Sequence, residues 1–218
     1  MILAFYNGLS TFNMNLLSIF ALIIAVTIHE FSHAWVANKL GDPTAKLAGR
    51  ITLNPFAHLD LVGTLMLFLI HIGWGKPVPV NPRYFQKPKR DEALTALAGP
   101  FSNFLMAILL TVPIKYFGGM MWPSLNNFLS VLVDVCILLF AFNMLPFPPL
   151  DGSKILGIFV PNRYYHFYAR YLENGMRFFV FFLLFDQFIL GQILGFSILQ
   201  AFMAIIYLFL KGILFLGT

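Results

Sequence analysis

Several apolar segments in this chain are long enough to cross a lipid bilayer, and they constrain the fold more than any other feature. A helix needs about 20 apolar residues to span the hydrocarbon core. The segments run from about Met14 to Ala37, over residues 94–117 and 126–146, and from Phe178 to Leu216. Only 11% of the residues are charged, whereas a soluble domain has about a quarter. The sequence therefore predicts an all-α polytopic membrane protein with five or six transmembrane or re-entrant helices, and excludes an ordinary soluble enzyme.

The chain of 218 residues has no internal repeat and no segment long enough for an appended soluble domain. We therefore predict a single membrane domain over residues 1–218. Its core covers about residues 14–160, and a C-terminal helical pair covers about residues 176–216. The pair is predicted to break near Asp186–Gly195, with Asp186 at the outer turn.

Lysine and arginine residues predict the orientation, because they concentrate on the cytoplasmic side of membrane proteins. A full crossing by the short apolar run 59–74 would place the basic cluster between Lys76 and Arg90 outside. If the run re-enters instead, every basic residue except Lys115 is cytoplasmic. We favour the re-entrant or tilted arrangement in a multi-pass protein of the cell membrane. The net charge of +5 is spread over membrane flanks, so nucleic acid is not a predicted partner.

The first apolar helix contains the sequence His29-Glu30-Phe31-Ser32-His33, in which two histidines are four residues apart. Such residues lie on one face of a helix, so both imidazoles can bind a single metal ion. Zinc suits imidazole and carboxylate ligands in a tetrahedral site with one open position. Glu30 projects beside that site and is predicted to act as general base toward a water molecule. The alternative, a polar helix end at an interface, would have to explain three ionisable residues on an apolar helix.

Two histidines leave a catalytic zinc one protein ligand short, since three are usual. Asp151 is the leading candidate, because it follows a long apolar helix that ends in a proline-rich turn, with Gly152 directly after it. The alternative is an ordinary interfacial turn stabilised by an aspartate hydrogen bond. Asp134 lies inside a predicted span and is a weaker rival, either as a ligand or as part of a proton path.

Four blocks of sequence, in this order, resemble the site-2 protease family of intramembrane zinc metalloproteases, in particular its compact bacterial members without a PDZ or CBS domain. They are HEFSHAWVANKLGDPTAKLAGRITLNPFAHLD, GWGKPVPVNP, ALAGPFSN and NMLPFPPLDG. The resemblance covers roughly residues 20–160. It implies that His29, His33 and Asp151 bind one zinc ion per chain and that Glu30 is catalytic. It also implies that Asn143 binds the substrate backbone or the developing oxyanion.

The same resemblance implies a single intramembrane metalloprotease domain with a zinc site below the cytoplasmic membrane surface, acting on transmembrane segments of other proteins within the lipid bilayer. The resemblance also implies that extended pieces at residues 46–55 and 77–82 form a sheet near the active site that pairs with an unwound substrate strand. Ordinary interfacial loops are an equally good interpretation of these residues. Two other functions stay open from the residues themselves: a membrane metal-ion transporter, and a catalytically silent relative that only binds membrane partners.

Three further polar residues have predicted supporting roles. The sequence Gly99-Pro100-Phe-Ser-Asn103 predicts close helix packing and a bend, with Asn103 bonding the backbone groups that the bend frees. His58 is predicted either to orient a metal ligand by a hydrogen bond or to begin a helix together with Asp60.

Overall fold

The computed structural model describes residues 16–61, 63–65, 75–193 and 195–216 of the chain. Its helices are α1 (Leu16–Lys39), α2 (Thr44–Leu47), α3 (Pro88–Phe117), α4 (Pro123–Asn143), α5 (Asp151–Ile155), α6 (Tyr165–Leu184) and α7 (Ile198–Leu214). Short 3₁₀ turns connect several of them, and a π-helical stretch, Phe185–Gly191, continues α6.

Four helical stretches are long and apolar enough to cross a membrane: Leu16–Lys39, Pro88–Met120, Pro123–Asn143 and Asn162–Gly191. The described part of the chain contains no β-strand. These two findings confirm the prediction of an all-α polytopic membrane protein. Two helices begin earlier than the apolar pattern predicts. Pro88 begins α3 six residues before the apolar run, and α6 includes much of the Tyr-rich stretch, because polar helix ends can extend beyond the hydrocarbon core.

The core lies where α1, α3 and α4 pack together. Small side chains allow the backbones to approach closely, notably Ala21 and Ala25 of α1 and Ala107 of α3, all fully buried. The middle of α4 contributes Val133 and Ile137, which are also completely buried. Because α4 is surrounded, its C-terminal end is held at a fixed position, and this end leads directly into the turn before Asp151.

The last helix runs antiparallel to α4, which corrects two predictions about the C-terminal pair. Lys115, near the end of α3, donates a hydrogen bond to the Leu216 carbonyl, so α7 ends beside the α3–α4 connection. Asp134, midway along α4, accepts hydrogen bonds from Tyr207 at 2.9 Å and Lys211 at 2.8 Å. Lys211 therefore lies toward the same end of the molecule as Lys115. The prediction that only Lys115 lies on that side is wrong.

The break between α6 and α7 lies at the predicted position in the sequence. In the structure, however, it lies at the opposite end of α4 from the one predicted. Phe147, just beyond the C-terminal end of α4, stacks on Phe182 of α6 at 5.7 Å between ring centroids. Asp186 follows only four residues later and accepts a hydrogen bond from the Ile198 backbone at 2.8 Å, at the start of α7. The break is thus close to the C-terminal end of α4, the end that leads to Asp151. The prediction placed Asp186 at the opposite end of α4, and that placement is wrong.

The connection between α1 and α3 contains the segments predicted to be extended. Residues 76–81 are neither helix nor strand, whereas the short helix Thr44–Leu47 overlaps the start of the other predicted region, residues 46–55. A single antiparallel bridge joins Leu59 to Gly75. Most of the run 59–74, predicted to re-enter the membrane, lies outside the described residues. The bridge brings the two ends of this run together.

Candidate metal centre

One face of α1 brings the two histidines together at a buried position. His29 and His33 are 6% and 7% exposed, and their Nε2 atoms are 3.0 Å apart. The Oδ2 atom of Asp151 lies 3.1 Å from Nε2 of His29 and 3.2 Å from Nε2 of His33. The three side chains predicted as metal ligands therefore converge on one point, although α1 and α5 are far apart in the sequence.

The turn between α4 and α5 positions the carboxylate. The proline-rich residues after Asn143 end α4, and Asp151 is the first residue of α5. A Cβ atom on Gly152 would lie 2.4 Å from the carbonyl oxygens of Met144 and Leu145. Only glycine fits this close approach, so Gly152 allows the turn to fold tightly enough to direct Asp151 toward α1.

The three donor atoms suit a zinc ion in type and in spacing. Tetrahedral zinc with bonds of about 2.0–2.1 Å requires neighbouring ligand atoms about 3.3 Å apart. The observed separations of 3.0–3.2 Å are close to that value. Burial would raise the pKa of the Asp151 carboxyl, but the facing imidazoles of His33 and His29 hold it well below its usual range. This direction favours the carboxylate, which is the form that binds a metal.

The outer nitrogen of each imidazole has a partner on α3. His33 Nδ1 lies 2.7 Å from the Thr95 carbonyl oxygen, which can only accept, so this nitrogen carries the proton and Nε2 is free for a metal. Asn103 lies 3.2 Å from His29 Nδ1 through its amide nitrogen, and its amide oxygen is buried without a hydrogen-bond partner. If the amide nitrogen and oxygen of Asn103 are exchanged, the oxygen accepts a hydrogen bond from the N–H at His29 Nδ1. Nε2 of His29 then carries no proton and can bind a metal, as Nε2 of His33 can.

The sequence did not predict this role for Asn103, which was expected to bond backbone groups in a bent helix. Its side chain is completely buried, and its amide faces His29, although the two residues are 74 positions apart in the sequence.

Gly99 lies one helical turn before Asn103 and allows α3 to approach the metal centre. A Cβ atom there would lie 2.2 Å from Nε2 of His33 and 2.7 Å from Nε2 of His29. The backbone of α3 therefore packs directly against both imidazoles.

Glu30 lies beside the histidines and faces the α1–α3 connection. Its Oε2 atom accepts a hydrogen bond from the Val78 backbone N–H at 3.2 Å. Glu30 is not part of the cluster of possible metal ligands formed by His29, His33 and Asp151. It borders the same cavity, in agreement with a role next to the metal and not on it.

A cavity of about 290 Å³ opens onto the cluster. Its walls include Val78 and Val80 from the α1–α3 connection, Glu92 from α3, and Lys154 from α5. Asn143 also lines it, and the Asn143 amide nitrogen donates one hydrogen bond to the Leu139 carbonyl at 3.0 Å. The amide has a second N–H, so it can still donate into the cavity.

Two other candidates from the sequence do not join the cluster. Asp134 is paired with Lys211 and Tyr207 between α4 and α7. His58 is completely buried, with Nε2 at 2.8 Å from the Thr52 carbonyl and Nδ1 at 3.4 Å from Arg50. None of these hydrogen bonds involves His29, His33 or Asp151. The structural role of His58 is therefore in the connection between α1 and α3.

Comparison with known proteins gives one family and several relatives. A family model, Peptidase family M50, matches residues 17–120. YwhC of Bacillus subtilis, named as a candidate zinc metalloprotease, is 43% identical over 150 residues, which are 66% of this chain and 68% of that protein. Rip2 of Mycolicibacterium smegmatis, named likewise, is 31% identical over 66% of this chain and 59% of its own length. The zinc metalloprotease MJ0392 of Methanocaldococcus jannaschii is 25% identical over 66% of this chain and 34% of its own length. No solved structure matches.

Proposed function

Because the chain belongs to peptidase family M50, the site-2 protease family of zinc metalloproteases, we propose that it is a zinc endopeptidase that cleaves transmembrane segments of other proteins. The observation that supports this most directly is the convergence of His29, His33 and Asp151 within a membrane protein. Three protein ligands of this kind bind a catalytic zinc and leave one position open.

In the proposed reaction, His29, His33 and Asp151 hold one zinc ion per chain. Zinc bound there supplies a Lewis acid that polarises the scissile carbonyl and makes water more acidic. Glu30 accepts the proton of the attacking water and later delivers it to the leaving nitrogen. Asn143 donates its second amide N–H to the oxyanion as charge develops. The Val78 N–H holds the Glu30 carboxylate toward the cavity, where it can accept the proton.

The backbone beside the cavity supports cleavage of an unwound segment. An α-helix pairs its backbone groups internally, whereas Val78 and Val80, which line the cavity, belong to residues that are neither helix nor strand. We propose that the substrate enters as an extended strand along residues 77–82, where backbone groups can form hydrogen bonds with it. Such pairing would expose the scissile carbonyl to Glu30 and Asn143.

The distribution of basic residues supports a site that opens to the cytoplasm. Lys39 is the last residue of α1 and Lys46 follows seven positions later, both close in sequence to His33. The N-terminal end of α3 carries Lys89 and Arg90, whereas the opposite end carries only Lys115. Positive residues favour the cytoplasmic side of a bilayer, and the metal centre lies nearer to the end of the molecule where they concentrate.

The proposal is tested by measuring zinc content together with cleavage of a transmembrane substrate in proteoliposomes. We expect Glu30→Gln to bind one zinc per chain and to lower cleavage by about 10²- to 10⁴-fold, because it removes the general base. His33→Ala and Asp151→Ala are expected to lose zinc, because each removes a ligand.

Full cleavage by Glu30→Gln would contradict the proposed mechanism. Zinc flux through the liposomes without any cleavage by the wild type would favour the metal-transporter alternative. Zinc binding with neither flux nor cleavage would favour the catalytically silent relative.

A further inference from the structure

Arg50 is a buried arginine next to the metal centre whose charge has no carboxylate within salt-bridge distance among the described residues. Its side chain is only 4% exposed, and its Nε atom has no hydrogen-bond partner. Burial lowers the pKa of the Arg50 guanidinium, and the negative charge of Glu30 raises it. Burying an arginine without a direct ion pair costs free energy, so its other contacts must compensate.

Besides a 3.4 Å contact with His58 Nδ1, those contacts are with the backbone of the segment that borders the cavity. Arg50 Nη1 donates to the Pro77 carbonyl at 2.9 Å, and Nη2 donates to the Lys76 carbonyl at 2.5 Å. A planar guanidinium can bind two successive carbonyls in a fixed orientation, which a lysine ammonium cannot do. Arg50 therefore fixes the position of this backbone immediately before Val78.

A second buried charge holds the other end of the same segment. Asp42 is completely buried and accepts a hydrogen bond from the Asn81 backbone N–H at 2.7 Å. Between these two attachments, the Val78 N–H donates to Glu30 Oε2. The position of the Glu30 carboxylate thus depends on a segment whose ends are held by Arg50 and Asp42.

We propose that Arg50 is a positioning residue for the peptidase reaction: its guanidinium fixes the backbone of Lys76 and Pro77 so that the Val78 N–H holds the Glu30 carboxylate beside the metal centre. Arg50 touches neither metal ligands nor the reacting atoms. The inference rests on the proposed function for its effect on catalysis, but the attachment of the segment is independent of any activity.

The test compares the purified full-length variants Arg50→Lys and Arg50→Gln with the wild type. Arg83→Gln is a matched control, because Arg83 is exposed, follows the same segment, and gives the same change of charge. Three quantities are measured: zinc per chain, kcat and KM for a model transmembrane substrate, and hydrogen exchange of the backbone amides at Val78 and Val80.

We expect both Arg50 variants to bind one zinc per chain and to lower kcat by about 10- to 100-fold with KM changed by less than about twofold. Amide exchange at Val78 should increase by about tenfold or more, with exchange in α1 unchanged. Arg50→Lys should not rescue activity, because the single rotating ammonium of lysine cannot replace two nitrogens that the guanidinium holds in one plane. The control should behave like the wild type.

Wild-type kcat in Arg50→Lys would overturn the inference, and so would unchanged exchange at Val78. Loss of zinc from Arg50→Lys would also overturn it, because the residue would then support the metal site and not Glu30. If the wild type itself does not cleave, the proposed function fails. The exchange measurement still decides whether Arg50 holds the segment.

Discussion

Replacing Gly99 by alanine adds a single methyl group at the point where α3 packs against the metal centre. The new Cβ atom would lie 2.2 Å from Nε2 of His33, whereas ordinary contact begins at 3.4 Å. The methyl group and the imidazole must therefore move apart by about 1.2 Å. Ligand distances at a metal site tolerate only about 0.2 Å of error, so at least one histidine can no longer bind the metal together with Asp151.

We expect Gly99→Ala to reduce zinc affinity by about 100-fold or more, equivalent to roughly 2.7 kcal/mol, because changes that only reorient a ligand already cost about 10- to 100-fold. The substitution favours the helix itself, since alanine is better than glycine by about 1 kcal/mol in a helix interior. A loss of zinc would thus not reflect a weaker α3.

The assay measures zinc per chain by mass spectrometry after dialysis against increasing concentrations of a chelator, with helical content followed by circular dichroism. Gly212→Ala is the control, because Gly212 lies in α7 with no atom within 4 Å of an added Cβ. If Gly99→Ala keeps one zinc per chain up to the chelator concentration that strips the wild type, the steric argument is refuted.

Two further substitutions test contacts between distant helices. Asn103→Leu should lower zinc affinity by about 10- to 100-fold in the same chelator titration, because it removes the partner of His29 Nδ1, and Asn103→Asp should restore most of it. Equal affinity in Asn103→Leu would show that His29 needs no such partner. Asp134→Leu should destabilise the protein in detergent by about 2–3 kcal/mol, because Lys211 loses its carboxylate partner and keeps only the Tyr207 hydroxyl. Adding Lys211→Leu should recover part of that loss, and a double variant as unstable as Asp134→Leu would contradict this account.

The metal-ligand candidates could be predicted from sequence because their arrangement follows from local geometry. The four-residue spacing of His29 and His33 fixes their common face on any α-helix. Asp151 could be predicted because a proline-rich turn ends α4 and because two histidines leave a zinc site incomplete. Both inferences use only short stretches of chain and one coordination rule.

The residues that support this cluster could not be predicted in the same way. Asn103 lies beside His29 although the two are 74 positions apart in the sequence. Arg50 bonds the Pro77 carbonyl, which is 27 positions away. Such contacts depend on how helices and connections pack, which the apolar pattern does not specify. The same limit explains the wrong prediction for Lys211. The rule for basic residues gave it a cytoplasmic position, but an aspartate on a neighbouring helix allows a lysine to remain among the helices.

The chain has one cysteine, Cys136, which is completely buried in the middle of α4. A thiol at this position is shielded from water-soluble maleimides, so the unmodified protein offers almost no labelling background. Single cysteines at exposed positions such as Phe56 and Met120, which are 82% and 85% exposed, would then be the only reactive thiols. The native sequence can therefore serve directly as the parent for mapping which parts of the chain face each side of a sealed vesicle.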